Sequence, residues 1–275
     1  MRVRPLLLLS AIAATLCLAT CLATPARAEQ DEATRAARWD ELRHALFGDQ
    51  AVKDAGDLVR IEAPARAEDA AIVPIGIAVG DELAPKVSKL YLVIDDNPSP
   101  LAAVFRFGAA ADRHAVATRV RIDDYTYLHA VAELDDGTLY GTARFIKAAG
   151  GCSAPASTEA ALAQSRLGRM KLSFPSSPAP GHAVTTQLLI SHPNSSGLQM
   201  DQVSRNYIPA DFVQEIRVSY GGIPVVTVDS DIALSEDPSI RFGLTPSGAG
   251  EIKVEVDDSS QRRFAQSWPL PVAGE

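Results

Sequence analysis

Apolar residues in this chain recur at every second position in short runs, and that period commits most of it to β-sheet. In Glu251–Val256, Ile252, Val254 and Val256 alternate with Glu251, Lys253 and Glu255, the pattern of a strand with one wet face. Leu128, Ala130, Ala132 and Leu134 make one apolar face, and Leu139, Gly141, Ala143 and Phe145 continue it on a returning strand. Asp135-Asp136-Gly137 between these runs is a hairpin signal. Ile72–Val79, Leu90–Ile94, Ala102–Phe107, Val184–Ile190 and Ile216–Tyr220 read as further strands, with Pro64, Gly80, Pro98, Pro100 and the Gly221-Gly222 turn as punctuation. Many short strands at regular spacing predict an all-β chain, mainly two antiparallel β-sandwich domains, each with its own core. Trp39, Leu42 and Leu46 stand at helical spacing, so Asp31–Phe47 is expected to be a short N-terminal helix that Gly48 ends.

The first 28 residues read as a signal peptide. Arg2 and Arg4 form a positive start, Leu6–Leu18 is an apolar run too short to span a bilayer, and Ala26-Arg27-Ala28 supplies a cleavage pattern after Ala28. An export signal implies a periplasmic or equivalent location; a lipoprotein built on Cys21 ranks second, because Thr20 fits poorly before it. Cleavage removes three arginines and no acid, so the net charge moves from −8 to −11. An acidic chain with no basic run and no second long apolar stretch is a poor match for nucleic acid or for a membrane.

Cleavage also removes Cys17 and Cys21, leaving Cys152 alone. An unpaired cysteine in an oxidising compartment is either a reactive thiol, a partner for another molecule, or a small buried hydrophobe. Its neighbours, Ala148-Ala149-Gly150-Gly151-Cys152-Ser153-Ala154-Pro155, are all small, and no periodic apolar element contains it. The residues therefore favour an exposed thiol on a flexible arm of Gly150, Gly151 and Ser153. The five residues from Lys147 to Cys152 reach at most about 17 Å. Lys147 is the nearest charge in sequence, so the thiol has no evident activator and suits a non-catalytic carrier better than a catalyst. His44, His114, His129, His182 and His192 show no metal-ligand spacing, and neither a metal nor another cofactor is expected. Tyr127 and His129 share a half-exposed strand face, and Asp95-Asp96 and Asp123-Asp124 read as solvated turn acids. Ser157–Leu167 has the makings of a short helix, and Pro175–Gly181 is linker-like by composition.

These stretches resemble a known family. Ala63–Ile77 (APARAEDAAIVPIGI), Leu90–Phe105 (LYLVIDDNPSPLAAVF) and Thr118–Cys152, ending Gly150-Gly151-Cys152, are similar to SoxY, the sulfur-carrier subunit of periplasmic thiosulfate oxidation. Ile190-Ser191-His192-Pro193, Tyr207-Ile208-Pro209 and the strands from Phe212 to Leu270 are similar to its partner SoxZ. The whole resembles fused SoxYZ-like carriers of the type associated with quinoprotein dehydrogenases. The resemblance implies immunoglobulin-like sandwiches, with a SoxY-like domain over 29–156, a linker over 157–181 and a SoxZ-like domain over 182–275. It implies pairing of the two domains, a covalent carrier site at Cys152, and periplasmic enzymes that load and unload it. A quinoprotein dehydrogenase or a cytochrome c is a further implied partner. The alternative is a structural accessory to such a dehydrogenase with Cys152 vestigial. Ser153-Ala154 depart from the family's Gly-Gly, and the arm here is not a chain end.

Overall fold

In the computed structural model, residues 24–156 and 160–270 are described. The stretch expected to start the signal peptide, residues 1–23, lies outside them. The chain forms two compact units. The first, up to Asp49, holds helix α1 (Thr24–Phe47), which begins before the expected cleavage point. Among the described residues no helix is long and apolar enough to cross a membrane.

The second unit begins at Gln50 and, among the described residues, holds fifteen strands. The first half contributes β1 (Val52–Asp54), β2 (Val59–Glu62), β3 (Val73–Val79), β4 (Val87–Ile94), β5 (Leu101–Phe107), β6 (Ala111–Val120), β7 (Thr126–Leu134) and β8 (Leu139–Ile146). After helix α2 (Ala160–Arg166) come β9 (Met170–Ser173), β10 (Val184–Ile190), β11 (Val213–Tyr220), β12 (Ile223–Ser230), β13 (Ser239–Leu244), β14 (Gly250–Asp258) and β15 (Arg263–Leu270). The fold is all-β, and its strands follow the period-two runs closely. Gly137 and the Gly221-Gly222 pair take the positive φ values their hairpins need. The stretch expected to be a linker contains α2 and β9, and β9 pairs with β10.

The two halves do not close separate sheets. One sheet has the order β1-β8-β7-β4-β5-β12-β11-β14-β15 and the other β2-β3-β6-β13-β10-β9. β5 pairs antiparallel with β12, with Phe105 opposite Val228, and β6 pairs with β13, with Val116 opposite Phe242. Each half therefore offers one edge in each sheet that the other covers, which removes four otherwise exposed sheet edges. The inward residues of both sheets form one contiguous apolar core that includes Ile75, Leu90, Phe105 and Leu128 from the first half and Leu188, Ile216, Phe242 and Val254 from the second. The expected pair of separate cores is thus one shared core. Burial of each such side chain contributes about 1.5–3 kcal/mol, so the junction is a structural part of the unit.

Candidate functional site

The chain leaves β8 at Ile146 and runs over the seam between the halves. There it lies against the segment that follows β6. Gly150 N–H donates to Asp123 O at 2.7 Å and Gly151 N–H donates to Ile122 O at 2.9 Å. That segment is itself fixed by Asn97, a buried side chain: its Nδ2 donates to Arg121 O at 2.8 Å and its Oδ1 accepts from Asp123 N–H at 2.9 Å. From the second half, Gln199 Nε2 donates to Ala154 O at 2.8 Å and Ser196 Oγ donates to Cys152 O. Ser153 is exposed, its Oγ donating to Gly150 O at 3.3 Å.

This arrangement corrects the expectation of an exposed thiol on a flexible arm. Cys152 is 0% exposed. The two glycines serve close packing: a Cβ on Gly151 would lie 2.0 Å from Ala70 O and 2.7 Å from Ile122 O. Gly150 has φ +78°, a left-handed conformation that suits glycine. Small residues here let one backbone seat against another and satisfy its polar groups, a use that composition cannot separate from looseness. Burial, with the charge of Asp123 adding to it, pushes the thiol up to about 12, while Arg121 pulls the other way. Cys152 in this state is a protonated, shielded thiol.

The charged neighbours are the part that sequence reasoning missed. Arg121 and Asp123 stand far from Cys152 in the chain, and only the packing of the segment after β8 against the segment after β6 brings them to the thiol. The histidines are engaged elsewhere. His129 Nε2 lies 3.1 Å from Asp95 Oδ2 in a buried pair, so Asp95 is not the solvated turn acid expected, nor is His129 on a half-exposed face. His192 Nδ1 accepts from Asn194 N–H at 3.0 Å, which leaves the proton of the neutral ring on Nε2, 3.4 Å from Asp258 Oδ2. Burial lowers the His192 pKa, with Arg262 adding to the effect, and so favours that neutral ring.

His192, Asp211 and Asp258 bring potential ligand atoms within 4.8 Å of one another, a grouping that sequence spacing did not show. Arg262 already supplies the positive charge there. Its Nε donates to Asp258 Oδ2 at 2.6 Å and its Nη2 to Asp211 Oδ2 at 2.6 Å. Burial would raise the Asp211 pKa, but hydrogen bonds from Arg262 and Ser260 outweigh it and hold the carboxylate ionised. The cluster reads as a partly buried ion network tying the segments after β10, before β11 and between β14 and β15 together.

Comparison with known proteins agrees with the layout of the halves. The family described as sulfur oxidation protein SoxY matches residues 43–152, and the family described as sulphur oxidation protein SoxZ matches residues 170–269. The chain is a fused SoxYZ-like protein. The SoxY match ends on Cys152 itself, and the SoxZ match opens on β9. Among solved structures, the sulfur carrier protein SoxY from Chlorobium limicola f thiosulfatophilum is 26% identical, covering 43% of this SoxYZ-like chain and 98% of its own, with a TM-score of 0.37. A beta-glycosidase from Bacteroides vulgatus is 10% identical over 77% of this chain and 24% of its own, with a TM-score of 0.24. A beta-glucuronidase from glycoside hydrolase family 2 is also 10% identical, over 79% of this chain and 20% of its own, with a TM-score of 0.24. None of the curated proteins matches the chain.

Proposed function

We propose that this SoxYZ-like protein is an exported, non-catalytic carrier that holds a covalent sulfur adduct on Cys152, and that the buried thiol is its closed, resting state. The observation that carries the reading is the coincidence of the SoxY match's last residue with the one free cysteine of the described structure. A thiol held near pKa 12 is protected from adventitious oxidation, because the thiolate is the reactive form. Release of residues 153–156, three of which are exposed, frees it for exchange. Loading is then displacement at sulfur: the Cys152 thiolate attacks a donor's sulfur, the new S–S bond forms, and the donor's leaving group departs with the electron pair.

The test is intact-mass measurement of protein taken from its native envelope, before and after reductant, alongside Cys152→Ser. A mass increment lost on reduction and absent from the variant supports the carrier. An unmodified thiol under conditions where the partner enzymes are active overturns it.

The burial of Cys152 favours a second reading, that of a structural accessory to a quinoprotein dehydrogenase in which the sulfur is a core residue. That reading gains if Cys152→Ala leaves recovery of the dehydrogenase and growth on its substrate unchanged.

A further inference from the structure

Among the described residues Arg121 is the largest side chain that the fold buries almost completely, at 2% exposed. It stands one residue past β6. Its Nη1 donates to Leu234 O, while its buried Nε has no hydrogen-bond partner. Among the described residues no carboxylate forms an ion pair with it. Glu236 is near enough for its charge to be felt, but it lies 4.0 Å from Arg166 in an ion pair of its own. A buried guanidinium without a counter-ion is costly, and such groups persist where something supplies the missing charge. The remaining group coupled to it is the Cys152 thiol, which contributes no charge while protonated. Arg121 belongs to the segment whose Ile122 O and Asp123 O accept from the Gly151 and Gly150 N–H groups, so its incompletely hydrogen-bonded guanidinium is carried by the wall packed against the Cys152 segment.

We propose that Arg121 is a positioning residue for the loaded state, the counter-ion that holds a negatively charged adduct on Cys152 and discriminates against a neutral one of the same shape. This rests on the carrier reading for its biological use, though not for its physics. A terminal anionic sulfur or oxygen on the adduct accepts the hydrogen bond that Nε lacks, and residues 153–156 move aside to admit it. Burial, with the charge of Asp123 adding to it, keeps the bare sulfur from ionising in the closed state and so from taking that role itself.

The experiment uses an isosteric pair. In the full chain carrying Cys17→Ser and Cys21→Ser, Cys152 is alkylated in urea with iodoacetate or with iodoacetamide and the protein is refolded. In both reactions the thiolate displaces iodide, an S–C bond forms, and the thiol proton goes to the buffer. The products differ only in a carboxylate against an amide. The carboxymethyl form is expected to melt higher than the carboxamidomethyl form by roughly 3 °C or more. The gap closes or inverts in Arg121→Met and returns in Arg121→Lys. A merely structural arginine lowers both forms alike and leaves the gap in place, which overturns the proposal. If Arg121→Met does not fold, the wild-type pair decides alone: a carboxymethyl form that melts at or below its neutral twin is fatal. Absence of any native adduct sinks the carrier reading and leaves this comparison untouched.

Discussion

Shielding of Cys152 has a measurable consequence in its alkylation rate. At pH 8 a thiol with the ordinary value of 9.0 is about one-tenth ionised, and one pushed up to about 12 is ionised at about one part in ten thousand. The thiolate is the nucleophile, so the folded thiol should react about a thousandfold more slowly than the same residue in urea. Reaction therefore runs through opening of residues 150–156. Two side-chain hydrogen bonds from the second half hold that segment, from Ser196 and Gln199. Each is worth about 1 kcal/mol, so Ser196→Ala with Gln199→Ala should raise the rate roughly 30-fold. The assay is iodoacetamide labelling of the Cys17→Ser, Cys21→Ser chain, followed by intact mass. A folded protein that labels as fast as the unfolded one refutes the closed state. A double variant with unchanged rate refutes the latch.

The same shift has a definite sign in stability. Below pH 9 the thiol is protonated in both folded and unfolded chains; between about 9 and 12 only the unfolded chain releases the proton, so stability falls as pH rises. Denaturant melts should show wild type losing about 1.4 kcal/mol per pH unit in that window relative to Cys152→Ser. Gly151→Ala meets backbone oxygen at 2.0 Å and should cost about 1–3 kcal/mol; Gly150→Ala meets open space and should cost about 1–2 kcal/mol through its φ alone. Thermal melts that rank Gly150→Ala as clearly the worse would contradict the packing role of Gly151. Asn97→Ala leaves Arg121 O and Asp123 N–H without their partner and should lower stability by about 1–3 kcal/mol while speeding Cys152 labelling. Arg262→Met strips the cation from Asp211 and Asp258 and should cost about 3–5 kcal/mol in urea melts.

Local chemistry determined the strands of this SoxYZ-like chain, because alternation, paired glycines and Asp-Asp-Gly act within a few residues and need nothing distant. It also singled out Cys152, since the cysteine and its Gly-Gly neighbours lie together in the chain. What the sulfur experiences was decided by tertiary structure. Ala70, Ile122 and Asp123 come from other connections of the first half and Ser196 from the second half, and their approach turns a run of small residues from a loose arm into a close-packed cover. The merging of two sandwiches into two continuous sheets has the same origin: a strand's period says which face is apolar, but both of its edges carry the same backbone groups, so the partner at an edge is chosen only when the whole sheet assembles.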